Sequence, residues 1–268
     1  MTSFEPSGVI TLTTDFGHKG PFVATMKGVM LARFREAQII DLTHEIVVHW
    51  PAEAGFWLQR SYRYFPAGAV HVAVVDPGVG TRRDIISVMH DGHAFLAPDN
   101  GLLAPLVNGA KTAIVHKLDQ GAMERFELDR VSATFHGRDI FAPLAAEMAA
   151  GRLKPWEIGP PTSDIVPSWV EEPTATKQRV TGTVITVDNF GNLITNIDRA
   201  LLDRFDQPQV KIGGHELALR RTYGDATPGD YLALINSFDV LEIARAEQSA
   251  SDGLGVERGA PVVVTEAH

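Results

Sequence analysis

Cysteine is absent from this chain of 268 residues. Its absence excludes disulfide bridges, thiolate catalysis and any zinc or iron–sulfur site that needs a cysteine ligand. Long apolar runs are also lacking, and none nears the ~18 residues that a membrane-spanning helix needs. The opening residues MTSFEPSG contain neither a basic start nor an apolar core. We therefore expect a cytoplasmic protein without a signal peptide.

Basic residues are outnumbered in the sequence, with 24 Lys and Arg against 33 Asp and Glu and a formal net charge of −9. The sequence has no basic run to follow a phosphate backbone, which argues against a nucleic-acid partner. Apolar residues make up 44% of the chain and charged residues 21%, which is usual for a globular protein. The length suits one large domain or two smaller ones.

The first 160 residues alternate between strand-like and helix-like segments. Apolar runs of strand length occur at 9–13, 37–43, 69–75, 85–90, 94–98 and 113–118. Helical patterns occur at 21–34, 51–65 and 138–150, and the first two begin with proline. This alternation predicts an α/β domain over residues 1–160 with a mainly parallel sheet, because a run such as AVHVAVV suits a strand covered on both faces.

The composition changes after residue 160. Residues 161–177 are rich in proline and polar residues, and we predict that they form a linker. From residue 178 to residue 268, short apolar segments alternate with turn signals. This pattern predicts a second, smaller domain that is all β.

Polar side chains stand where several of the predicted strands end. Asp15, Asp76 and Asp99 each follow a strand-like run, and His136 precedes a predicted helix. Taken singly, each is explained by a helix cap or a turn. Taken together, polar groups at the carboxyl edge of a parallel sheet are the usual setting of a small-molecule site.

The segment VVDPGVGTRRD (74–84) places a guanidinium seven residues after a carboxylate. Gly78 and Gly80 let the chain fold back closely, since glycine tolerates backbone angles that other residues resist. Arg83 would then return beside Asp76 as a constrained ion pair. The segment lacks the lysine of a P-loop, and the DFG at 15–17 lacks the other motifs of a protein kinase.

The ten histidines do not fall into metal-ligand spacing. THE at 43–45 lacks the second histidine of H-E-x-x-H. MHDGH at 89–93 lies between two predicted strands, where we expect its histidines at the surface. We therefore predict no metal site and no cofactor.

Eight groups of residues occur in order along nearly the whole chain. They are TTDFG (13–17), MKG (26–28), DLTHEI (41–46), VVDPGVGTRR (74–83), APDNGLL (97–103), FHGRDIFAP (135–143), DNFGNLITNI (188–197), and NS with IAR (236–245). In this ordered set the chain resembles the S-adenosyl-L-methionine hydrolase (adenosine-forming) family, which is related to fluorinase and chlorinase. The resemblance implies an α/β N-terminal domain, a C-terminal β-barrel-like domain, and a homotrimer with active sites at subunit interfaces.

The resemblance also implies a reaction and the residues that perform it. Water would attack carbon 5′ of S-adenosyl-L-methionine, releasing adenosine and L-methionine, and Asp76, Arg83 and His136 would handle that water. The implied substrate-binding residues are Asp15 at the ribose hydroxyls, His49 where fluorinase has a ribose-packing tryptophan, Phe190 and Tyr223 around the adenine, Asn192 and Arg245 as its hydrogen-bonding partners, and Asp188 and Ser237 at the methionine amino acid moiety.

The chain departs from its halogenating relatives at several positions. The halogenases have tyrosine at the place of Asp76, and fluorinase has serine at the place of Gly137, so this chain sides with the hydrolases. Gly20 stands where relatives often have aspartate, and Phe238 stands where fluorinase has an arginine that binds methionine. The methionine end of the substrate is therefore expected to be held differently here.

Three other functions stay open on the sequence. A halogenase would join chloride or fluoride to carbon 5′, although the carboxylate of Asp76 would repel an incoming anion. A non-catalytic protein that binds S-adenosylmethionine or a nucleoside would be expected to lose the Asp-Arg-His set, which this chain keeps. A metal-dependent phosphoesterase built on the strand-end aspartates and His136 would be sensitive to EDTA.

Overall fold

The computed structural model describes residues 4–110, 112–128 and 130–267. The chain divides into two compact units, Met1–Trp169 and Val170–His268, here called unit 1 and unit 2. Within the described residues, no helix combines the length and the apolar character needed to cross a bilayer.

The described part of unit 1 contains one sheet and five α-helices. Its strands are β1 (Val9–Thr14), β2 (Gln38–Thr43), β3 (Val70–Val74), β4 (Ile85–His90), β5 (His93–Pro98), β6 (Ile114–Lys117) and β7 (Pro161–Thr162). Its α-helices are α1 (Phe22–Arg33), α2 (Pro51–Ser61), α3 (Ala104–Asn108), α4 (Gln120–Arg125) and α5 (Ala142–Ala149). The spatial order of the strands is β2-β1-β3-β5-β4-β6-β7.

The sheet of unit 1 is mixed. β2, β1, β3 and β5 pair in parallel, as expected for strands joined by helices. β4, β6 and β7 join antiparallel, because β4 and β5 form a hairpin. The hairpin turns at Asp91 and Gly92, whose φ angles of 49° and 78° suit the tight turns that Asp-Gly favours. The predicted α/β domain is thus confirmed, with a mixed sheet in place of a mainly parallel one.

Helices cover both faces of this sheet. Val70, Val72 and Val74 of β3 join the core that includes residues of α1 and α5, while Ala73 joins the core on the opposite face. Residues of α2 and α3 complete that second core. Burial on both faces explains why β3 reads as a continuous apolar run. The carboxyl ends of β1 and β3 then lead into the loops that carry Asp15 and Asp76.

Unit 2 is a closed β-barrel. Its strands are β8 (Thr174–Ala175), β9 (Arg179–Val187), β10 (Leu193–Asp198), β11 (Pro208–Ile212), β12 (His215–Arg220), β13 (Tyr231–Ile235), β14 (Val240–Arg245) and β15 (Pro261–Glu266), with helices α6 (Arg199–Leu202) and α7 (Ala250–Leu254). Seven strands follow the order β10-β14-β13-β12-β11-β15-β9, and pairing of β9 with β10 closes the ring. The predicted barrel-like domain is confirmed.

The proline-rich segment 161–177 contributes to both units. Its first residues form β7, which pairs with β6. Its last residues include β8, which adds to the barrel outside the ring by pairing with β9. The boundary between the two units falls within this segment, after Trp169.

Candidate active site

The loop after β3 folds back on itself, as the glycines suggested. The Val79 amide donates to the Asp76 carbonyl at 3.2 Å, and the Thr81 amide donates to the Gly78 carbonyl at 3.1 Å. Gly80 has a φ of 76°, and a β-carbon there would lie 2.1 Å from the Ala133 carbonyl oxygen. Only glycine therefore fits where this loop touches the segment that leads to His136.

Arg83 bridges a carboxylate and an imidazole. Its Nε lies 3.0 Å and 2.9 Å from the two carboxylate oxygens of Asp76, and its Nη2 donates to Asp76 Oδ2. The same Nη2 lies 2.8 Å from Nδ1 of His136. The side chains of Asp76 and Arg83 are only 3% and 9% exposed, so water screens this ion pair weakly.

The contact with Arg83 fixes the tautomer of His136. A guanidinium has donors and no acceptor, so Nδ1 of His136 must accept the hydrogen bond. The neutral imidazole then carries its proton on Nε2. Burial, followed by the positive charge of Arg83, lowers the pKa of His136 below its ordinary value of 6.5, although Asp76 and Asp139 oppose the shift. Both effects favour the neutral ring.

A cavity of about 290 Å³ in unit 1 brings several predicted residues together. Asp15, His49, Asp76 and His136 all line it, while Arg83 holds Asp76 and His136 in place. Asp15 follows β1, and its Oδ2 accepts a hydrogen bond from the His49 backbone amide at 2.9 Å. Its Oδ1 makes no hydrogen bond to the described residues and can accept one from a ligand.

Aromatic rings form the apolar wall of the same cavity. Phe16, Phe22 and Phe135 line it and meet edge to face, with ring centroids 5.5–6.1 Å apart. A β-carbon at Gly20 would lie 2.6 Å from the Phe22 ring. The position where relatives often have aspartate is thus packed against an aromatic side chain.

A second cavity, of about 530 Å³, lies in unit 2. It is lined by four of the predicted substrate-binding residues, Phe190, Asn192, Tyr223 and Arg245. Phe190 and Tyr223 are 78% and 47% exposed, which leaves aromatic surface to stack against a planar ligand. Arg245 donates from Nε to the Gly229 carbonyl at 3.0 Å, which fixes its position at the cavity wall.

Two other predicted binding residues do not line either cavity. Asp188 accepts hydrogen bonds from the backbone amides of Phe190 and Asn192 and from the Asn192 side chain, at 2.9–3.0 Å. Its carboxylate therefore orders the turn that presents those two residues. Ser237 is exposed in the turn between β13 and β14. Contacts of Asp188 and Ser237 with methionine stay predictions.

Asp99 has a structural contact instead of a place at the cavity. Its Oδ1 accepts a hydrogen bond from the Val166 amide at 2.9 Å, and burial raises its pKa. Of the three aspartates that follow strands, Asp15 and Asp76 alone line the cavity of unit 1.

Across residues 4–110, 112–128 and 130–267, no group of three His, Asp or Glu side chains converges as a metal site would require.

Comparison with known proteins identifies the family. The profile of the SAM hydroxide adenosyltransferase N-terminal domain matches residues 10–159, and that of the C-terminal domain of the same family matches residues 182–263. The chain belongs to the SAM hydroxide adenosyltransferase family. The two matched regions leave out the whole of segment 161–177.

Relatives match this chain over nearly its full length. A protein from Thermus thermophilus named (R)-S-adenosyl-L-methionine hydrolase is 36% identical, over 93% of this chain and 96% of the relative. A protein of the same name from Salinispora arenicola is 35% identical, over 96% of this chain and 97% of the relative. Proteins named fluorinase match at 25–27%. A crystal structure of an uncharacterized conserved protein from Thermotoga maritima superposes with a TM-score of 0.87 at 34% identity, covering 96% of this chain and 99% of that one.

Sequence reasoning missed Glu242, which lies next to the second cavity. Its side chain is buried, and it accepts a hydrogen bond from the Tyr223 hydroxyl at 2.6 Å. The segment VLEIAR (240–245) contained a signal for it, because a glutamate inside an otherwise apolar strand needs a buried partner. The aromatic wall of Phe16, Phe22 and Phe135 was also missed, since the three residues come from separate segments.

Proposed function

We propose that this member of the family hydrolyses S-adenosyl-L-methionine to adenosine and L-methionine. The observation that carries the proposal is the contact of Arg83 with both Asp76 and His136 at the edge of the unit 1 cavity. Family membership and the names of the relatives support it. We further propose that a water molecule held there is the nucleophile.

The proposed reaction is a single displacement at carbon 5′. A bond forms between the water oxygen and carbon 5′ while the bond from carbon 5′ to sulfur breaks, and its electron pair goes to sulfur. The leaving group is the neutral thioether of methionine, which needs no proton. Water is a weak nucleophile, because it must lose a proton as the new bond forms. The protein therefore has to orient water and accept that proton.

The geometry favours Asp76 over His136 as the proton acceptor. Nδ1 of His136 is occupied by Arg83, and Nε2 carries the proton, so the neutral imidazole has no free acceptor. Oδ2 of Asp76 accepts from both Nε and Nη2 of Arg83, whereas Oδ1 accepts from Nε at 3.0 Å and has a second lone pair for the proton of water. In this proposal Arg83 fixes the carboxylate, and the Nε2 proton of His136 is available to orient the water oxygen.

Positioning supplies a large part of the proposed rate enhancement. Alignment of water and sulfur about carbon 5′ is worth up to ~7–11 kcal/mol in favourable cases. A general base contributes about 10²–10⁴-fold, which is less than that upper limit. The buried, doubly held Asp76 suits both roles, since its carboxylate has little freedom to move.

The remaining contacts are assigned by chemistry. We propose that Oδ1 of Asp15 accepts from a ribose hydroxyl and that His49 lies beside the ribose. Phe190 and Tyr223 would stack on the adenine, which suits their exposed rings. The hydrogen-bonding partners of the base would be Asn192 and Arg245, and those of the methionine amino acid moiety would be Asp188 and Ser237.

The decisive experiment uses labelled water. The protein is incubated with S-adenosylmethionine in H₂¹⁸O containing chloride and fluoride, and the products are identified by mass spectrometry. Because the relatives are named for the (R) form, each sulfonium epimer is supplied separately, and we expect the (R) epimer to react faster. Adenosine with ¹⁸O at carbon 5′ is the expected product. A 5′-haloadenosine would favour the halogenase, and unchanged substrate would favour a non-catalytic binding protein.

We also propose that the enzyme acts as a homotrimer with active sites at subunit interfaces and needs no metal or other cofactor. Light scattering coupled to gel filtration is expected to give three times the chain mass of 29.1 kDa. EDTA is expected to leave the hydrolysis rate unchanged. A monomeric species with full activity would contradict the trimer, and loss of activity that a divalent cation restores would contradict the absence of a metal.

A further inference from the structure

Glu242 is a buried carboxylate that the proposed reaction does not use. It is 3% exposed. Its neighbours Leu241 and Ile243 point into the barrel core, so Glu242 lies on the opposite face of β14. Among the described residues it forms no ion pair with a basic side chain. A buried carboxylate without a cation requires strong hydrogen bonds.

Both oxygens of Glu242 accept hydrogen bonds from groups near the second cavity. Oε1 lies 2.6 Å from the Tyr223 hydroxyl, and Oε2 lies 3.1 Å from Nδ2 of Asn236. Oδ1 of Asn236 in turn accepts from the Phe238 amide at 2.9 Å. The Glu242 carboxylate thus joins Tyr223, which lines the second cavity, to the turn that carries Ser237.

We propose that Glu242 is a positioning residue for substrate, acting through Tyr223 and through the turn between β13 and β14. The inference rests on the proposed function, because the planar ligand is taken to be adenine. Tyr223 is 47% exposed, and its hydroxyl is held by the hydrogen bond to Glu242. A hydroxyl-to-carboxylate hydrogen bond of this length is of the strong, charge-assisted kind and restrains the position of the far end of the ring.

The environment of Glu242 agrees with this role. Burial, with a contribution from the charge of Asp188, raises the pKa of Glu242, although the hydrogen bonds from Tyr223 and Asn236 oppose the shift. Burial together with the Glu242 hydrogen bond and charge raises the pKa of Tyr223 as well, so its hydroxyl keeps the proton that it donates. The raised pKa of Tyr223 thus supports its hydroxyl as the donor in this bond.

Adenosine binding tests the proposal without depending on turnover. The dissociation constant of adenosine is measured by calorimetry for the wild-type protein, Glu242→Gln, Tyr223→Phe and the double variant. Glutamine at position 242 cannot accept from both Tyr223 and Asn236, and phenylalanine at position 223 has no hydroxyl to donate. We therefore expect each single variant to bind adenosine about tenfold more weakly. The double variant is expected to bind no more weakly than Glu242→Gln, because that substitution already disrupts the hydrogen bond that Tyr223→Phe removes. Glu257→Gln, an exposed glutamate of unit 2, serves as the control and should bind normally.

The outcomes separate positioning from stability and from the proposed function. A purely structural Glu242 would lower the melting temperature and leave the dissociation constant unchanged, which would overturn the inference. Additive losses in the double variant would also overturn it. Should Glu242→Gln fail to fold, Tyr223→Phe reports on the same hydrogen bond from its other end. A wild-type protein that does not bind adenosine would contradict the proposed function itself, whereas normal wild-type binding with unaffected variants would contradict only the role of Glu242.

Discussion

Arg83 holds two of the residues that line the unit 1 cavity. It holds Asp76 through two nitrogens and His136 through one of them. A lysine at this position would keep the charge but present a single ammonium on a flexible stem, which cannot reproduce the planar fork. The orientation of both partners, more than the charge, is therefore what the guanidinium supplies.

We expect Arg83→Lys to lower kcat by about 10²-fold, because Asp76 and His136 would no longer be held in a fixed relation. Steady-state kinetics with S-adenosylmethionine, together with calorimetry for binding, measures both effects. Binding is expected to stay within about threefold, since Arg83 does not line the cavity. The exposed neighbour in Arg82→Lys is the matched control and should retain wild-type kcat. Equal activity of the two variants would contradict the role of Arg83.

Because the neutral tautomer of His136 accepts from Arg83, we expect kcat/KM to fall at acidic pH. Protonation of the ring would place a proton on Nδ1, which then could no longer accept from Arg83. Because the pKa of His136 is lowered, we expect kcat/KM to stay constant as pH falls to 6.5 and to decline below it. His136→Asn should have a lower rate and lack this decline. A decline that is unchanged in His136→Asn would assign it to another group.

At the scale of elements, local patterns predicted most of unit 1. The strands and the proline-led helices lie where the spacing of apolar residues and the position of proline predicted them. Both signals act within one segment of the chain. The mixed sheet was missed although its signal was local: Asp91-Gly92 is a hairpin turn, and the hairpin reverses β4. The barrel also needs the pairing of β15 with β9, which joins the two ends of unit 2, and no single-segment pattern reports such a contact.

His93 shows how tertiary contacts override a surface prediction. The sequence placed MHDGH at the surface, and this was wrong for His93, which is 5% exposed. Its Nδ1 lies 3.1 Å from Nε2 of His71, whose Nδ1 lies 2.8 Å from Thr11 Oγ1. These three residues come from β5, β3 and β1, so a chain of hydrogen bonds crosses three neighbouring parallel strands. Only strand order brings them together.

The candidate site was predictable from local patterns only where its contacts lie within one segment. The return of Arg83 to Asp76 takes place within one short loop, so spacing and glycine content indicated it. Identification of His136 as their neighbour came from the family resemblance, because it lies on another element. Glu242 was missed, since its partner Tyr223 is 19 residues away and its burial depends on the barrel.

The loop after β3 offers a prediction with its own control. A β-carbon at Gly80 would lie 2.1 Å from the Ala133 carbonyl oxygen at a φ of 76°, whereas one at Gly78 would lie 3.5 Å from its nearest neighbours. We expect Gly80→Ala to cost about 1–3 kcal/mol of stability and to lower kcat at least tenfold, because it displaces the segment that carries His136. Thermal unfolding and steady-state kinetics should find Gly78→Ala near wild type. Equal effects at the two glycines would contradict the close approach.

At the scale of the whole molecule, buried histidines make stability depend on pH. Burial lowers the pKa of His71 to about 3, so between pH 6.5 and 3 the unfolded chain binds a proton that the folded chain excludes. The free energy of unfolding must therefore fall as pH falls through this range, by up to about 1.4 kcal/mol per pH unit for one histidine.

All four tryptophans lie in unit 1, so their fluorescence reports its unfolding. We expect urea unfolding followed by tryptophan emission to give a steeper loss of stability on acidification for the wild type than for His71→Gln. Glutamine can keep polar partners but has no proton to gain in this range. His18→Gln, at an exposed histidine, should retain the wild-type slope. Identical slopes for His71→Gln and the wild type would contradict burial of a neutral His71.

The proposed hydrolysis requires that a carboxylate accepts the proton of the attacking water, and Asp76→Asn tests this most directly. Asparagine keeps the size of the side chain and can still accept from Arg83, but it is a poor proton acceptor. Asp84→Asn, at the exposed end of the same loop, is the control. In single-turnover measurements with S-adenosylmethionine, we predict that Asp76→Asn slows formation of adenosine by about 10²–10⁴-fold while the dissociation constant stays within about threefold. Wild-type turnover by Asp76→Asn, or loss of substrate binding along with activity, would contradict the role of Asp76 as the proton acceptor.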